Sequence, residues 1–309
     1  MKIDASSAPD IAWQGHHGPA LAGLNGYDVI SCTVCGFAHA VPLPTPEQLI
    51  AEYRDRYYSD EKPTYLAHAR EDQDWAQLSQ DDRLHVLERL LPPSRRRLID
   101  IGCGPGFFLQ TACARGWECE GIEPSQQASE HARSLGLRVH QGFFSADYAK
   151  GLGTFDVVHM NNMLEHVPDP VSLLRAACHM LAPEGVLVVG VPNDFSPLQI
   201  AAAANGLPRW WVAPPHHLNY FDFSSLAKLL ERLGLRVVER QTSFPMETFL
   251  LMGDDYTKDP ALGRACHNRR KSFDLALAKS GLNDVRRDVY RALAEAGLGR
   301  EAIIFAVRS

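Results

Sequence analysis

No apolar run in these 309 residues approaches the ~20 needed to cross a bilayer, and the opening MKIDASSAPDIAW lacks a basic head followed by a hydrophobic stretch. Neither a membrane span nor a secretion signal is expected. Positive charge is short as well: 31 Lys+Arg stand against 37 Asp+Glu, a formal charge of -6. This removes the general electrostatic grip that DNA, RNA or an anionic membrane would need. Cysteine is too sparse and odd in number for a secreted disulfide framework: of seven, only Cys32 and Cys35 are closely paired. They read as reduced thiols of a cytoplasmic protein. What is present is an ordinary globular composition, 45% hydrophobic and 22% charged. At about twice the ~150 residues of one domain, the chain can bury one sizeable core and carry a smaller appendage.

Three regions separate along the chain. Residues 1–45 are rich in turn formers, hold the cysteine pair and end in Pro42-Leu43-Pro44-Thr45-Pro46, which predicts a small non-helical module. Residues 46–93 show helical spacing, first at Leu49, Tyr53 and Tyr57, then at Leu84, Leu87, Leu90 and Leu91 before Pro92. In 94–309, short apolar runs alternate with helical segments: strands are expected at 98–101, 118–122, 137–140, 155–160 and 185–191, with helices at 107–115, 126–135 and 170–181. The alternation predicts an α/β fold with a doubly wound, mostly parallel sheet. A helix from Ser224 as N-cap to Gly234 beyond its end, a strand at 236–241, a polar helical insertion at about 254–297 and a terminal strand at 302–307 follow.

Asp100-Ile101-Gly102-Cys103-Gly104-Pro105-Gly106-Phe107 falls where the first strand turns into the first helix. Glycines there admit a ligand close to the backbone, and the helix N-terminus offers unpaired N–H groups to a carboxylate or phosphate. Glu123 closes the second strand 19 residues beyond Gly104, near the ~20-residue offset at which an acidic residue meets ribose hydroxyls. The third glycine comes one residue too early for a dinucleotide fingerprint, and no Gly-Lys-Ser/Thr ending exists for a triphosphate loop.

The runs IDIGCGPGFFL, EGIEPS, FDVVHMNNMLEHVPDP and LAPEGVLVVGVPN, in this order, resemble the class I S-adenosylmethionine-dependent methyltransferases over roughly residues 95–242. The resemblance implies a Rossmann-like fold and S-adenosylmethionine as cofactor. It implies the cofactor carboxylate near Gly102, Cys103, Gly104, Gly106 and Phe107, the ribose on Glu123 beside Pro124, and the adenine flanked by Gly142 and Phe143. Asp100 would hold the loop or the cofactor ammonium, and Asn161 and Asn162 would face the sulfonium. Amino-methylating DNA enzymes of this class carry Asn/Asp-Pro-Pro-Tyr/Phe where this chain has Asn161-Asn162-Met163-Leu164, so DNA is not expected as substrate.

Glu165-His166 resembles the Glu-His pair of small-molecule methyltransferases, including the ubiquinone-biosynthesis O-methyltransferases, and the resemblance adds Glu165 to the residues expected to hold cofactor. Trp210 to Phe221 resembles a Pro-His-His-Leu-x-Tyr-Phe segment of sugar- and natural-product-modifying relatives and suits a substrate lid, within a substrate loop of about 192–222. That likeness makes His217 the favoured general base, with His216 and His166 as neighbours of the same chemistry. The same subgroup often begins with a zinc ribbon, of which Cys32-Thr33-Val34-Cys35-Gly36 retains one half. His16 and His17, or His39, could complete a tetrahedral zinc site with Cys32 and Cys35; a degenerate ribbon with buried thiols is the alternative. The expected function is methylation of a small molecule, O-methylation ahead of C- or N-methylation. Methylation of RNA or protein, and a non-catalytic cofactor-binding subunit, are the alternatives.

Overall fold

The computed structural model describes residues 9–45 and 71–309; the helix expected over Leu49, Tyr53 and Tyr57 lies outside them. Strands β1 (Asp10–Trp13), β2 (His16–Leu24), β3 (Tyr27–Ser31) and β4 (Ala38–Val41) form an antiparallel meander. Two-residue turns join the first three. Asn25 and Gly26 both have positive φ, 54° and 79°, the mirror-image turn that matches the twist of a hairpin.

Helix α1 (Gln73–Leu90) leads into the main sheet. Here β5 (Arg97–Ile101), α2 (Phe107–Ala114), β6 (Glu118–Glu123), α3 (Gln126–Ser134) and β7 (Arg138–Gln141) run outward from the centre. The chain then returns to β8 (Phe155–Asn161), α4 (Pro170–His179) and β9 (Leu181–Pro192) on the other side of β5. This reversal opens a crevice at the carboxyl ends of β5 and β8. After β10 (Asn219–Tyr220) and α5 (Phe223–Arg232) come β11 (Leu235–Gln241), α6 (Pro260–Lys279), α7 (Asn283–Glu295) and β12 (Glu301–Arg308). The sheet order is β11-β12-β9-β8-β5-β6-β7, parallel except for β12, which inserts antiparallel between β9 and β11.

Central strands are apolar on both faces because both are covered. Ile99, Val158, Leu187 and Val189 pack with α4 and α5, whereas Leu98, Val157, Val186 and Val188 pack with α1, α2 and α3. The expected N-cap Ser224 is corrected to Asp222, whose carboxylate accepts the Ser225 N–H while the Ser225 hydroxyl accepts the Asp222 N–H; this reciprocal box starts the helix earlier. The strand expected at 185–191 begins at Leu181, which already pairs with Phe155, so α4 stops at His179.

Helices α6 and α7 lie outside α1 and hold it. Trp75 Nε1 donates to Asp274 Oδ2 at 2.7 Å, and Arg286 and Arg287 converge on Asp82. The basic run of α6 is also engaged: Arg269 pairs with Asp254, and Arg270 stacks over Trp75. Among the described residues no helix is long and apolar enough to cross a membrane.

The second sheet is completed from the main domain. Strand β10, in the aromatic loop, pairs antiparallel with β4, Asn219 opposite His39 and Tyr220 opposite Ala38.

Candidate active site

After Ile101 the chain turns through Gly102, Gly104 and Gly106 with φ of 75°, 54° and 88°, a region strained for other residues. Gly106 meets a second demand: a Cβ there would lie 2.6 Å from Leu137 Cδ1 and 2.8 Å from Ala132 Cβ. Glycine alone lets the loop rest on α3. Glu123 pins this turn to the next one, Oε2 accepting the Gly104 N–H at 2.9 Å and Oε1 the Ser125 N–H at 2.8 Å. Burial raises the Glu123 pKa to about 7, against the pull of those two hydrogen bonds. Burial also pushes the Cys103 thiol far above its ordinary range, so it fills space as a neutral group.

A cleft of about 720 Å³ opens over both turns and runs to His166. Of the residues expected to hold cofactor, Gly106 and Glu165 do not line it. Gly106 supports the loop from behind, and Glu165 is buried beneath it with its carbonyl accepting the Leu218 N–H at 2.7 Å. Asp100, Gly102, Cys103, Gly104 and Phe107 line one side, Glu123, Pro124, Gly142 and Phe143 another, and Asn161 and Asn162 the end of β8. Asn162 takes a left-handed φ of 52°, tolerated by Asn, and its N–H donates to Gly190 O at 2.8 Å. Asn161 fits over the same glycine, where a Cβ would stand 2.1 Å from Asn161 Oδ1.

Arg83 of α1 escaped the sequence reading. It is 7% exposed, lines the cleft, and its guanidinium has no hydrogen bond or ion pair among the described residues. A guanidinium with no partner among the described residues, its Nε buried and its side chain at the cleft wall, suits an anion from the ligand. S-adenosylmethionine has such a group in its carboxylate, and the glycine cradle and Glu123 suit its remaining parts.

The three histidines separate by position. His166 lines the cleft. Its Nδ1 donates to the His216 carbonyl at 2.7 Å and its Nε2 lies 3.6 Å from Glu165 Oε1. His216 contributes that carbonyl. His217 packs edge-on against His166, centroids 5.1 Å apart, and Glu165, His166 and His217 bring their ligand-type atoms within 4.8 Å of one another. The expected tryptophan lid is placed elsewhere: Trp211 is buried with Val29, Val212 and Tyr220 against the N-terminal sheet. In that sheet His16, Cys32, Cys35 and His39 converge. His17 follows His16 on a strand and so faces the other way, its Nδ1 2.9 Å from Thr33 Oγ1.

Sheet order, glycine turn and ribose-type carboxylate together define a class I S-adenosylmethionine-dependent methyltransferase. The profile of a family described as methyltransferase domain matches residues 66–240, more than half of the sequence; the chain belongs to this family, and S-adenosylmethionine is its cofactor. It is similar to the ubiquinone biosynthesis O-methyltransferase of Xanthomonas axonopodis pv. citri, 31% identical over 167 residues, covering 50% of this chain and 69% of that one. The protein of the same name from Caulobacter sp. is 33% identical over 128 residues, and the chain spans 51% of its length. Among solved structures, a methyltransferase from Archaeoglobus fulgidus aligns with TM-score 0.51 and 19% identity, covering 79% of this chain and 99% of that one. The plantazolicin methyltransferase BamL aligns with TM-score 0.52 and 16% identity, covering 84% and 94%. Both structural likenesses concern the fold.

Proposed function

We propose that the protein methylates an oxygen of a small-molecule acceptor bound at the His166 end of the cleft, with His166 Nε2 taking the acceptor proton. The observation that carries this reading is the hydrogen bond from His166 Nδ1 to the His216 carbonyl. A carbonyl only accepts, so the neutral ring carries its proton on Nδ1 and presents Nε2 as the base. Glu165, 3.6 Å away, favours the imidazolium that results. His217 packs behind His166 and steadies its ring.

S-adenosylmethionine supplies an electrophilic methyl group. Arg83 would hold its carboxylate, Glu123 would accept from the ribose hydroxyls, and Phe143 would flank the adenine, all three lining the cleft. With the cofactor's methyl group in line with the acceptor oxygen, His166 Nε2 would take the proton that this oxygen gives up. The residues contribute position and a proton acceptor, which is most of what methyl transfer needs. The His216 carbonyl ties His166 to residues 192–222 and so sets the orientation of the base; the small-molecule relatives named above support an acceptor of that class.

Transfer of labelled methyl to matched phenolic, catecholic and amine acceptors tests the reading, with product detected on oxygen. His166→Asn should lower kcat ~10²-fold or more with cofactor affinity retained, and His217→Asn should cost less. Product on nitrogen alone, or full activity of His166→Asn across pH, would refute it.

A further inference from the structure

The N-terminal sheet contains a side-chain cluster remote from the methyl-transfer chemistry. Cys32 and Cys35 flank the turn after β3, where the Cys35 N–H donates to Cys32 Sγ at 3.4 Å and the Gly36 N–H to the Cys32 carbonyl at 2.9 Å. His16 comes to them from β2 because Gly18 permits it: a Cβ there would lie 2.0 Å from the Ser31 carbonyl. His16 Nδ1 lies 3.6 Å from Cys32 Sγ and 3.2 Å from Cys35 Sγ. His39 arrives from β4, 3% exposed. Its Nδ1 donates to the Ala40 carbonyl at 3.0 Å, and its Nε2 is buried with no hydrogen-bond partner. One ligand atom from each of the four lies within 4.8 Å of every other.

We propose that His16, Cys32, Cys35 and His39 bind one divalent cation of the zinc type, which stiffens the strand pair carrying the acceptor loop. Around tetrahedral zinc, bonds of ~2.3 Å to sulfur and ~2.0–2.1 Å to nitrogen place sulfur and nitrogen about 3.6 Å apart, close to the two distances observed for His16. Two thiolates and two imidazoles select a soft tetrahedral ion. They also cancel its charge, so the buried site carries no net ion. The Nδ1 donation of His39 to a carbonyl fixes its tautomer with Nε2 as the ligand atom, the outer-shell arrangement usual for metal-binding histidine.

The site reaches the cleft through the backbone. His39 is the register partner of Asn219 on β10, and the Ala40 N–H donates to the Leu218 carbonyl at 2.7 Å. Asn219 Nδ2 donates to the carbonyls of Leu164 at 2.8 Å and Val167 at 2.6 Å, enclosing the turn that holds Glu165 and His166. A cation on His39 therefore braces that turn from outside.

The test uses the full chain, kept reduced and stripped by chelation, then titrated with cobalt(II). The expected result is one equivalent bound, with the strong visible bands of tetrahedral cobalt and a thiolate charge-transfer band. His39→Ala and Cys35→Ser should lose this spectrum, and His17→Ala should keep it. Stripping should also speed amide hydrogen exchange across residues 216–221. A weak octahedral spectrum in the wild type, or a tetrahedral one that survives in His39→Ala and vanishes in His17→Ala, overturns the site. Exchange at 216–221 indifferent to metal overturns the bracing role.

Discussion

Asp100 of β5 and His159 of β8 face each other across neighbouring parallel strands, carboxylate Oδ1 2.6 Å from imidazole Nδ1, both almost wholly buried. The His159 ring is also stacked on Phe108, centroids 4.1 Å apart at 24°. His159→Phe keeps the stack and removes the bond, leaving a buried carboxylate without its donor. Stability should fall by ~2 kcal/mol or more, read as a lower urea midpoint at unchanged slope. An unchanged midpoint would show that the pair contributes nothing.

Arg83 yields a prediction with opposite signs for folding and binding. Arg83 has no partner among the described residues, and burying a guanidinium without one costs free energy, so Arg83→Met should leave the cofactor-free protein as stable or more stable. The same variant loses a charge-assisted contact, and cofactor affinity should drop ~10-fold or more. Calorimetric binding and thermal unfolding measured together check it. A variant that both binds normally and unfolds earlier would make Arg83 a structural residue.

Glu123 makes cofactor binding depend on pH. Its pKa rises from 4.5 to about 7, chiefly through burial. A raised carboxyl pKa gives the cofactor-free fold stability that is complete below the unfolded value and lost as pH rises through about 7. Accepting ribose hydroxyls requires the ionised form, so affinity should strengthen over the same rise and binding at ~pH 6 should release a proton. Calorimetry in buffers of different ionisation enthalpy measures that proton. Glu123→Gln should abolish it, and zero release by the wild type would remove Glu123 from the ribose role.

Gly190 and Asn161 should behave as one unit. A methyl group at 190 would meet Asn161 Oδ1 at 2.1 Å and force that side chain from its place at the end of β8. Gly190→Ala should lower kcat ~10-fold or more by misplacing it. Because the damage passes through Asn161, the Gly190→Ala/Asn161→Ala double variant should be no slower than Asn161→Ala alone. Additive losses would mean that the two act separately.

Much of the fold was legible because strands buried on both faces read as apolar runs and the glycine turn announces itself between one of them and a helix. Arg83 was hidden for a physical reason: a charged residue in an amphipathic helix ordinarily faces water, and only the packing of α6 and α7 over α1 shows that this one does not. Gly190 looks like any strand glycine until Asn161 is seen above it. The pairing of His39 with His16 depends on how β4 and β2 lie relative to the turn between Cys32 and Cys35, which no local spacing encodes. The exclusion of His17 was within reach, since neighbours on a strand point to opposite faces. The aromatic loop reads as a cover for substrate because tryptophans and prolines suit that task; its tryptophans instead meet Val29 from the far end of the sequence.

Strand β10 also sets an order of events during synthesis. Of the described strands the meander β1–β4 is made first, yet its outer edge is closed by residues that follow α1 and the sheet strands β5 to β9. Asn25 donates to the Pro214 carbonyl across 189 residues of chain. Until that partner exists, the nascent meander presents an open hydrogen-bonding edge and uncovered apolar side chains, the combination most prone to pairing with another strand. Contacts this distant in sequence also slow folding. The meander thus stays open while about 180 residues are added, and misassembly during folding should begin there.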